Sequence, residues 1–131
     1  MKIDHAAAEK LADAYTAAWN SGSSEAVAAF YAQNGQIVVN RGNPWMGRKG
    51  VAEMAAGFFA DVPDLELVCD LVRCAGNHVA YSWTFTGTHA STRSALRVSG
   101  WEEWDLDTDQ KIMASRGWYD ADDYARQTRA H

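Results

Sequence analysis

The chain has 131 residues, of which 47% are hydrophobic and 22% charged. That length suits one soluble globular domain, residues 1–131, whose core removes roughly 65–70% of the unfolded surface from water. The net charge of -5 and the lack of a Lys/Arg cluster argue against a nucleic-acid partner. No apolar run approaches the roughly 18 residues that cross a membrane, and the polar start "MKIDHAAAEK" predicts a cytoplasmic protein.

Asp4 is placed to cap a first helix carrying Ala8, Leu11, Ala12, Tyr15, Ala18 and Trp19 at spacings of three and four. "NSGSS" breaks it, and Ser24 is expected to cap a short second helix with Val27, Phe30 and Tyr31, which Asn34-Gly35 stops. "QIVV" (36–39) reads as a short strand and "NRGNPWMG" as a loop. A third helix is predicted over about 48–60, with Val51, Met54, Ala55 and Phe58 on one side. The period then changes to two. In "LELVCDLVR" the odd positions Leu65, Leu67, Cys69 and Leu71 share a face. "AGN" turns the chain into a strand over 79–89, where Val79, Tyr81, Trp83 and Phe85 alternate with small residues. Strands near 95–106 and 111–120 follow, then a final helix over 121–128. Helices first and adjacent strands afterwards predict an α+β fold, with helices on one face of a curved, mostly antiparallel sheet. Cys69 and Cys74, if on one strand, stand roughly 16 Å apart and are expected to remain reduced.

Within the strand over 97–106, Val98, Gly100, Glu102, Trp104 and Leu106 share the apolar face, and Glu102 is the one charged residue on it. Burial disfavours the charged carboxylate, so its pKa is expected to rise unless a cation or several donors compensate. A carboxyl of that kind serves as a general acid or base, or as a neutral donor. The alternative is an ion pair with Arg73, Arg97 or Arg116 that only ties strands together. His89 is a second candidate, since imidazole titrates near neutrality, although it lies at a strand end. The acidic run Asp105, Asp107 and Asp109 reads as a solvated edge without the glycine and glutamate of a calcium loop. The four histidines, at 5, 78, 89 and 131, show no metal-ligand spacing, and neither a metal nor another cofactor is expected.

The order of elements, with "AYTAAWNSGSSEAVAAFYAQNGQIVV", "MGRKGVAEMAAGFF", "VAYSWTFTGTHA", "GWEEWDLDTDQKI" and "WYDADDYARQ", resembles the nuclear transport factor 2-like superfamily and, within it, SnoaL-like polyketide cyclases. The resemblance covers residues 8–128. It implies a cone-shaped, cystatin-like roll, in which the curved sheet wraps around the N-terminal helices and a pocket opens on the concave face. Such cones host isomerases, cyclases, lyases and non-catalytic binders.

Ketosteroid isomerases in this superfamily need a helix tyrosine, a strand base and a protonated aspartic acid. Tyr15 and Glu102 match two of these, but Val39 stands at the base position. Limonene epoxide hydrolases need an Asp-Arg-Asp set; here Glu102 stands for one acid, whereas Gly100 and Gly117 replace the arginine and the second acid. In the last strand, Ala114 and Arg116 replace the acid and tryptophan of many SnoaL-like sequences, and Asp120 alone remains. Asp120 has a second reading, as the cap of the final helix.

The resemblance places Met113, Ser115, Gly117 and Tyr119 inward on the last strand. The expected catalytic set is then Glu102, His89 and Tyr15. Trp19, Val39, Met54, Phe58, Trp83, Phe85, Trp104, Ser115 and Tyr119 are expected to line a site for a small hydrophobic or aromatic molecule. Trp101 and Trp118 point outward, and homodimers through that convex face are common in the superfamily.

Overall fold

The computed structural model describes residues 2–129. Helix α1 (His5–Asn20) begins where the Asp4 carboxylate accepts the Ala7 N–H at 2.8 Å, satisfying one of the free donors of a first turn. It ends at Gly22, whose φ of 74° is the left-handed conformation that closes helices. Helix α2 (Ser24–Ala28) is capped by the Ser23 hydroxyl, one residue before the expected Ser24.

Strand β1 (Tyr31–Val39) corrects a larger expectation. Tyr31 belongs to it rather than to α2, and Asn34-Gly35 lies inside the strand instead of stopping a helix. Gly35 marks a break in register between Tyr31 and Gln36. A Cβ there would press on the Ile112 carbonyl oxygen, so glycine serves a close strand approach rather than a cap. The loop after β1 contains a two-residue strand, β2 (Trp45–Met46), before α3 (Gly47–Asp61).

The remaining strands are β3 (Glu66–Ala75), β4 (His78–Thr88), β5 (Ala95–Leu106) and β6 (Ile112–Tyr119), and α4 (Ala121–Thr128) follows. They form one curved, unclosed sheet in the order β2-β1-β6-β5-β4-β3, in which β1 and β6 run parallel and the other neighbours antiparallel. The inward face packs on α1 and α3 around Tyr15, Tyr31, Tyr81 and Trp104, all fully buried. Each such side chain contributes roughly 1.5–3 kcal/mol by leaving water. The fold is therefore α+β with a mostly antiparallel sheet, as expected, in which β1 and β6 form the parallel pair.

Two bulges revise the faces read from strict alternation. In β3 the register shifts between Cys69 and Leu71. Leu71 turns outward at 47% exposure, and Val72 takes the buried place. Opposite the step between Asp105 and Leu106, β6 begins with Ile112 buried and Met113 exposed, so Met113 is not inward as expected. One extra residue inverts every side chain after it. Ser115 and Gly117 do face inward, as expected.

Three smaller expectations also resolve. Asp120 caps α4 by accepting the Asp123 N–H at 3.0 Å. Asp105 is not a merely solvated edge: it pairs with Arg116 at 3.0 Å and His78 at 2.6 Å, and those partners hold its carboxyl below the usual range. Cys69 and Cys74 are free thiols on β3. Among the described residues no helix is long and apolar enough to cross a membrane.

Candidate functional site

Strand pairing brings Glu102 to the centre of the concave face. It sits opposite Tyr81 of β4 and opposite Gly117 of β6, which in turn pairs with Val39 of β1. Trp83 of β4 pairs with Gly100, two residues before Glu102 on the same face. The two glycines play different parts. A Cβ on Gly100 would lie 2.6 Å from the Trp83 ring, so that glycine lets the indole lie across β5. A Cβ on Gly117 would meet nothing closer than the Glu102 Cγ at 3.4 Å, so that glycine leaves space beside the carboxyl. The positions that lack an arginine and a second acid are thus the positions that accommodate the indole and the cavity.

The cavity lies between this face, α1 and α3, bordered by Trp19, Val39, Met54, Phe58, Trp83, Phe85, Glu102 and Tyr119 among others. Its walls enclose about 500 Å³ with the open mouth included, but only about 50 Å³ admits the centre of a water molecule. One water needs roughly 10–15 Å³ on that measure, so the cavity is a narrow slot. Six aromatic residues border it: Trp19, Phe58, Trp83, Phe85, Trp118 and Tyr119. Phe58 stands edge-on to both Trp19 and Tyr119, with centroids 6.2 and 6.1 Å away, and Trp83 stacks on Phe85 at 5.9 Å.

Glu102 is 7% exposed and ion-paired with none of Arg73, Arg97 and Arg116. Arg116 is engaged by Asp105. The Glu102 Oε1 accepts three hydrogen bonds, from Trp104 Nε1 at 2.9 Å, the Tyr15 hydroxyl at 3.0 Å and the Ser115 hydroxyl at 3.2 Å. Among the described residues no hydrogen bond reaches Oε2. The carboxyl is therefore anchored by one oxygen, and the other is left without a protein partner.

Burial pushes the Glu102 pKa up, and the bonds from Trp104, Tyr15 and Ser115 offset part of that rise by favouring the anion. Burial and the neighbouring carboxylate hold Tyr15 and Tyr31 well above the ordinary phenol range. The Tyr15 hydroxyl also meets that of Tyr31 at 3.1 Å. The Trp19 N–H points toward the Tyr15 hydroxyl without reaching hydrogen-bond geometry, and the Trp83 N–H is sealed in the wall without an acceptor.

The expected residues thus divide into three groups. Trp19, Val39, Met54, Phe58, Trp83, Phe85, Tyr119 and Glu102 border the slot. Tyr15, Trp104 and Ser115 lie behind it, where their donors hold Glu102. His89 joins neither group: its Nδ1 faces the Thr92 hydroxyl at 3.1 Å in the turn after β4, and its ring packs 6.4 Å from Tyr124. Tyr31 completes the buried hydroxyl cluster, a role hidden by its assignment to α2. Ile37, Leu65 and Leu67 also border the slot, and alternation within their strands was the signal available for Ile37 and Leu67.

Among the described residues no group of three His, Cys, Asp or Glu side chains is placed to hold a metal ion. What the arrangement can do chemically is exchange one proton, or hold one polar group, at Oε2 inside an apolar slot.

Comparison with solved structures shows the same fold at low identity. A hypothetical protein with a ketosteroid isomerase-like fold from Catenulispora acidiphila, solved in complex with trimethylamine, is 18% identical, with a TM-score of 0.84 over 93% of this chain and 94% of that one. TsrD from Streptomyces laurentii is 18% identical, with a TM-score of 0.84 over 99% and 100%. The epoxide hydrolase/cyclase-like enzyme SalBIII, of pyran ring formation in the polyether salinomycin, is 16% identical, with a TM-score of 0.80 over 92% and 95%. No curated protein matches the sequence significantly. The model of the SnoaL-like domain matches residues 12–115, and the chain belongs to that family, within the nuclear transport factor 2-like superfamily.

Proposed function

We propose that the protein is a cytoplasmic, cofactor-independent enzyme that moves a proton on a small hydrophobic or aromatic molecule, as an isomerase, cyclase or lyase does. The observation that carries this reading is Glu102: a buried carboxyl with Oε1 fixed by three donors and Oε2 without a protein partner. A general acid or base works best when its pKa lies near the working pH, and burial moves Glu102 in that direction. Tyr15, Trp104 and Ser115 are positioning residues in this scheme, because they act through Oε1. Substrate enters the slot, its acidic C–H or its carbonyl meets Oε2, and the apolar walls exclude water. SalBIII, an epoxide hydrolase/cyclase-like enzyme of pyran ring formation with the same fold, supports the reaction class.

The slot's width favours a second reading, a binding protein without chemistry in which Glu102 anchors a ligand. Only about 50 Å³ admits the centre of a water molecule, and the trimethylamine held by the Catenulispora protein is a ligand of that scale. The two readings separate in heavy water, with acetophenone and cyclohexanone as probes followed by proton NMR. Exchange of their α-protons faster than in buffer, and lost in Glu102→Gln, supports catalysis. Binding without exchange supports the second reading, and no binding of either ketone overturns the catalytic one.

We propose in addition that the outward sheet face packs on a second copy of the chain. Trp101 is 45% exposed and stacks on Trp118 with centroids 5.5 Å apart. A paired indole surface of this kind is normally covered.

A further inference from the structure

We infer that the slot takes a small aliphatic ammonium cation, held by the Glu102 carboxylate at one end and by the aromatic rings of Trp19, Phe58, Trp83, Phe85 and Tyr119 around it. The inference rests on reading the slot as a ligand site, and it names the ligand's charge. Among the described residues Glu102 is the only charged one that borders the cavity, and no Lys, Arg or His does so. A carboxylate in an apolar interior is costly until a positive charge joins it. Among the described residues none pairs with it: Arg116 on the neighbouring strand is held by Asp105 on the other face of the sheet.

The hydrogen-bond pattern agrees. All three side chains that reach Glu102 can donate to Oε1, which suits an anion better than a neutral acid. The Trp19 and Trp83 N–H groups in the wall are both buried without an acceptor, so an anionic ligand finds neither indole donor accessible. Aromatic rings carry electron-rich faces, which attract cations most strongly once water is excluded. Aromatic rings and one carboxylate around a narrow space therefore match an alkylammonium group better than a neutral molecule of the same shape.

The test compares trimethylammonium chloride with tert-butanol, a neutral molecule of similar shape, using the indole N–H signals of Trp19, Trp83 and Trp104 in proton–nitrogen NMR. Sodium chloride at equal concentration serves as the control. At about pH 8 the cation is expected to shift these signals and to bind at least about tenfold more tightly than tert-butanol. That preference should shrink as the pH falls toward 4.5, the ordinary glutamate value above which burial holds the Glu102 carboxyl. The titratable groups facing Glu102 are Tyr15 of α1, Tyr31 of β1 and Tyr81 of β4, all raised above the ordinary phenol range and so silent between those limits. Glu102→Gln, which keeps an oxygen for the same three donors, should bind both probes equally.

If tert-butanol binds as tightly as the cation at pH 8, the charge assignment is wrong while the slot survives as a ligand site. Cation binding unchanged in Glu102→Gln also overturns it. If neither probe moves the indoles, the ligand-site reading falls as well.

Discussion

Replacing Glu102 by Gln should make the protein more stable at alkaline pH than at acid pH, relative to the original chain. In the unfolded chain this carboxyl titrates near the ordinary value of 4.5, and burial raises it in the fold. Between those two points the folded state keeps a proton that the unfolded state has released, so stability falls as the pH rises. Above both, the fold carries a buried charge, and every tenfold by which burial favours the neutral form costs about 1.4 kcal/mol. Glutamine does not titrate and can still accept from Trp104, Tyr15 and Ser115. The stability difference between the two proteins should therefore be constant at low pH, climb by up to about 1.4 kcal/mol for each pH unit, and then level off. For a chain of this size, that slope is worth about 5 °C in Tm per pH unit. Urea denaturation of both proteins from about pH 4 to about pH 8 measures it, because the other groups titrate alike in both and cancel. A difference that stays flat, or that turns against glutamine as the pH rises, would show that the fold holds the carboxylate as a satisfied anion. The argument from burial would then be refuted.

Three other outcomes check the remaining contacts. Tyr15→Phe removes a donor from Oε1 and the hydroxyl partner of Tyr31; it should cost about 1–2 kcal/mol and raise the Glu102 titration further, as followed by carbon NMR of the carboxyl. A titration that moves down instead would mean that Tyr15 does not stabilise the anion. Gly100→Ala forces a Cβ against the Trp83 ring and the Trp118 carbonyl and should cost at least about 2 kcal/mol in urea denaturation, whereas Gly117→Ala, with open space beside it, should stay within about 1 kcal/mol; equal losses would contradict the cavity's placement. Trp118→Glu should leave the circular dichroism unchanged and give a monomer in light scattering, and an unchanged mass would exclude the outward face as a dimer contact.

Much of this molecule could be read along the chain. The aromatic alternation of Val79, Tyr81, Trp83 and Phe85 and the single carboxylate in "SGWEEWDLD" identified two central strands and the residue on which the site turns. Asp4 and Asp120 announced helix starts, because a capping carboxylate acts within its own turn and needs nothing distant. Local periodicity also placed Glu102 and Trp104 on one face, since side chains two apart in a strand always share one.

Only the tertiary structure decided the rest. The bulges at Cys69/Leu71 and Asp105/Leu106 invert faces, and a bulge is a relation between two strands that neither carries in its own pattern. Asn34-Gly35 has the composition of a helix stop, yet Gly35 answers to the approach of Ile112, distant in sequence. The same reason separates Tyr15 from His89. Both were candidate partners of Glu102, but register and helix packing bring the tyrosine hydroxyl within 3.0 Å of Oε1 and leave the histidine in a turn. The sequence determined that one carboxylate would be buried; the pairing of strands determined which donors hold it and that a slot opens beside it.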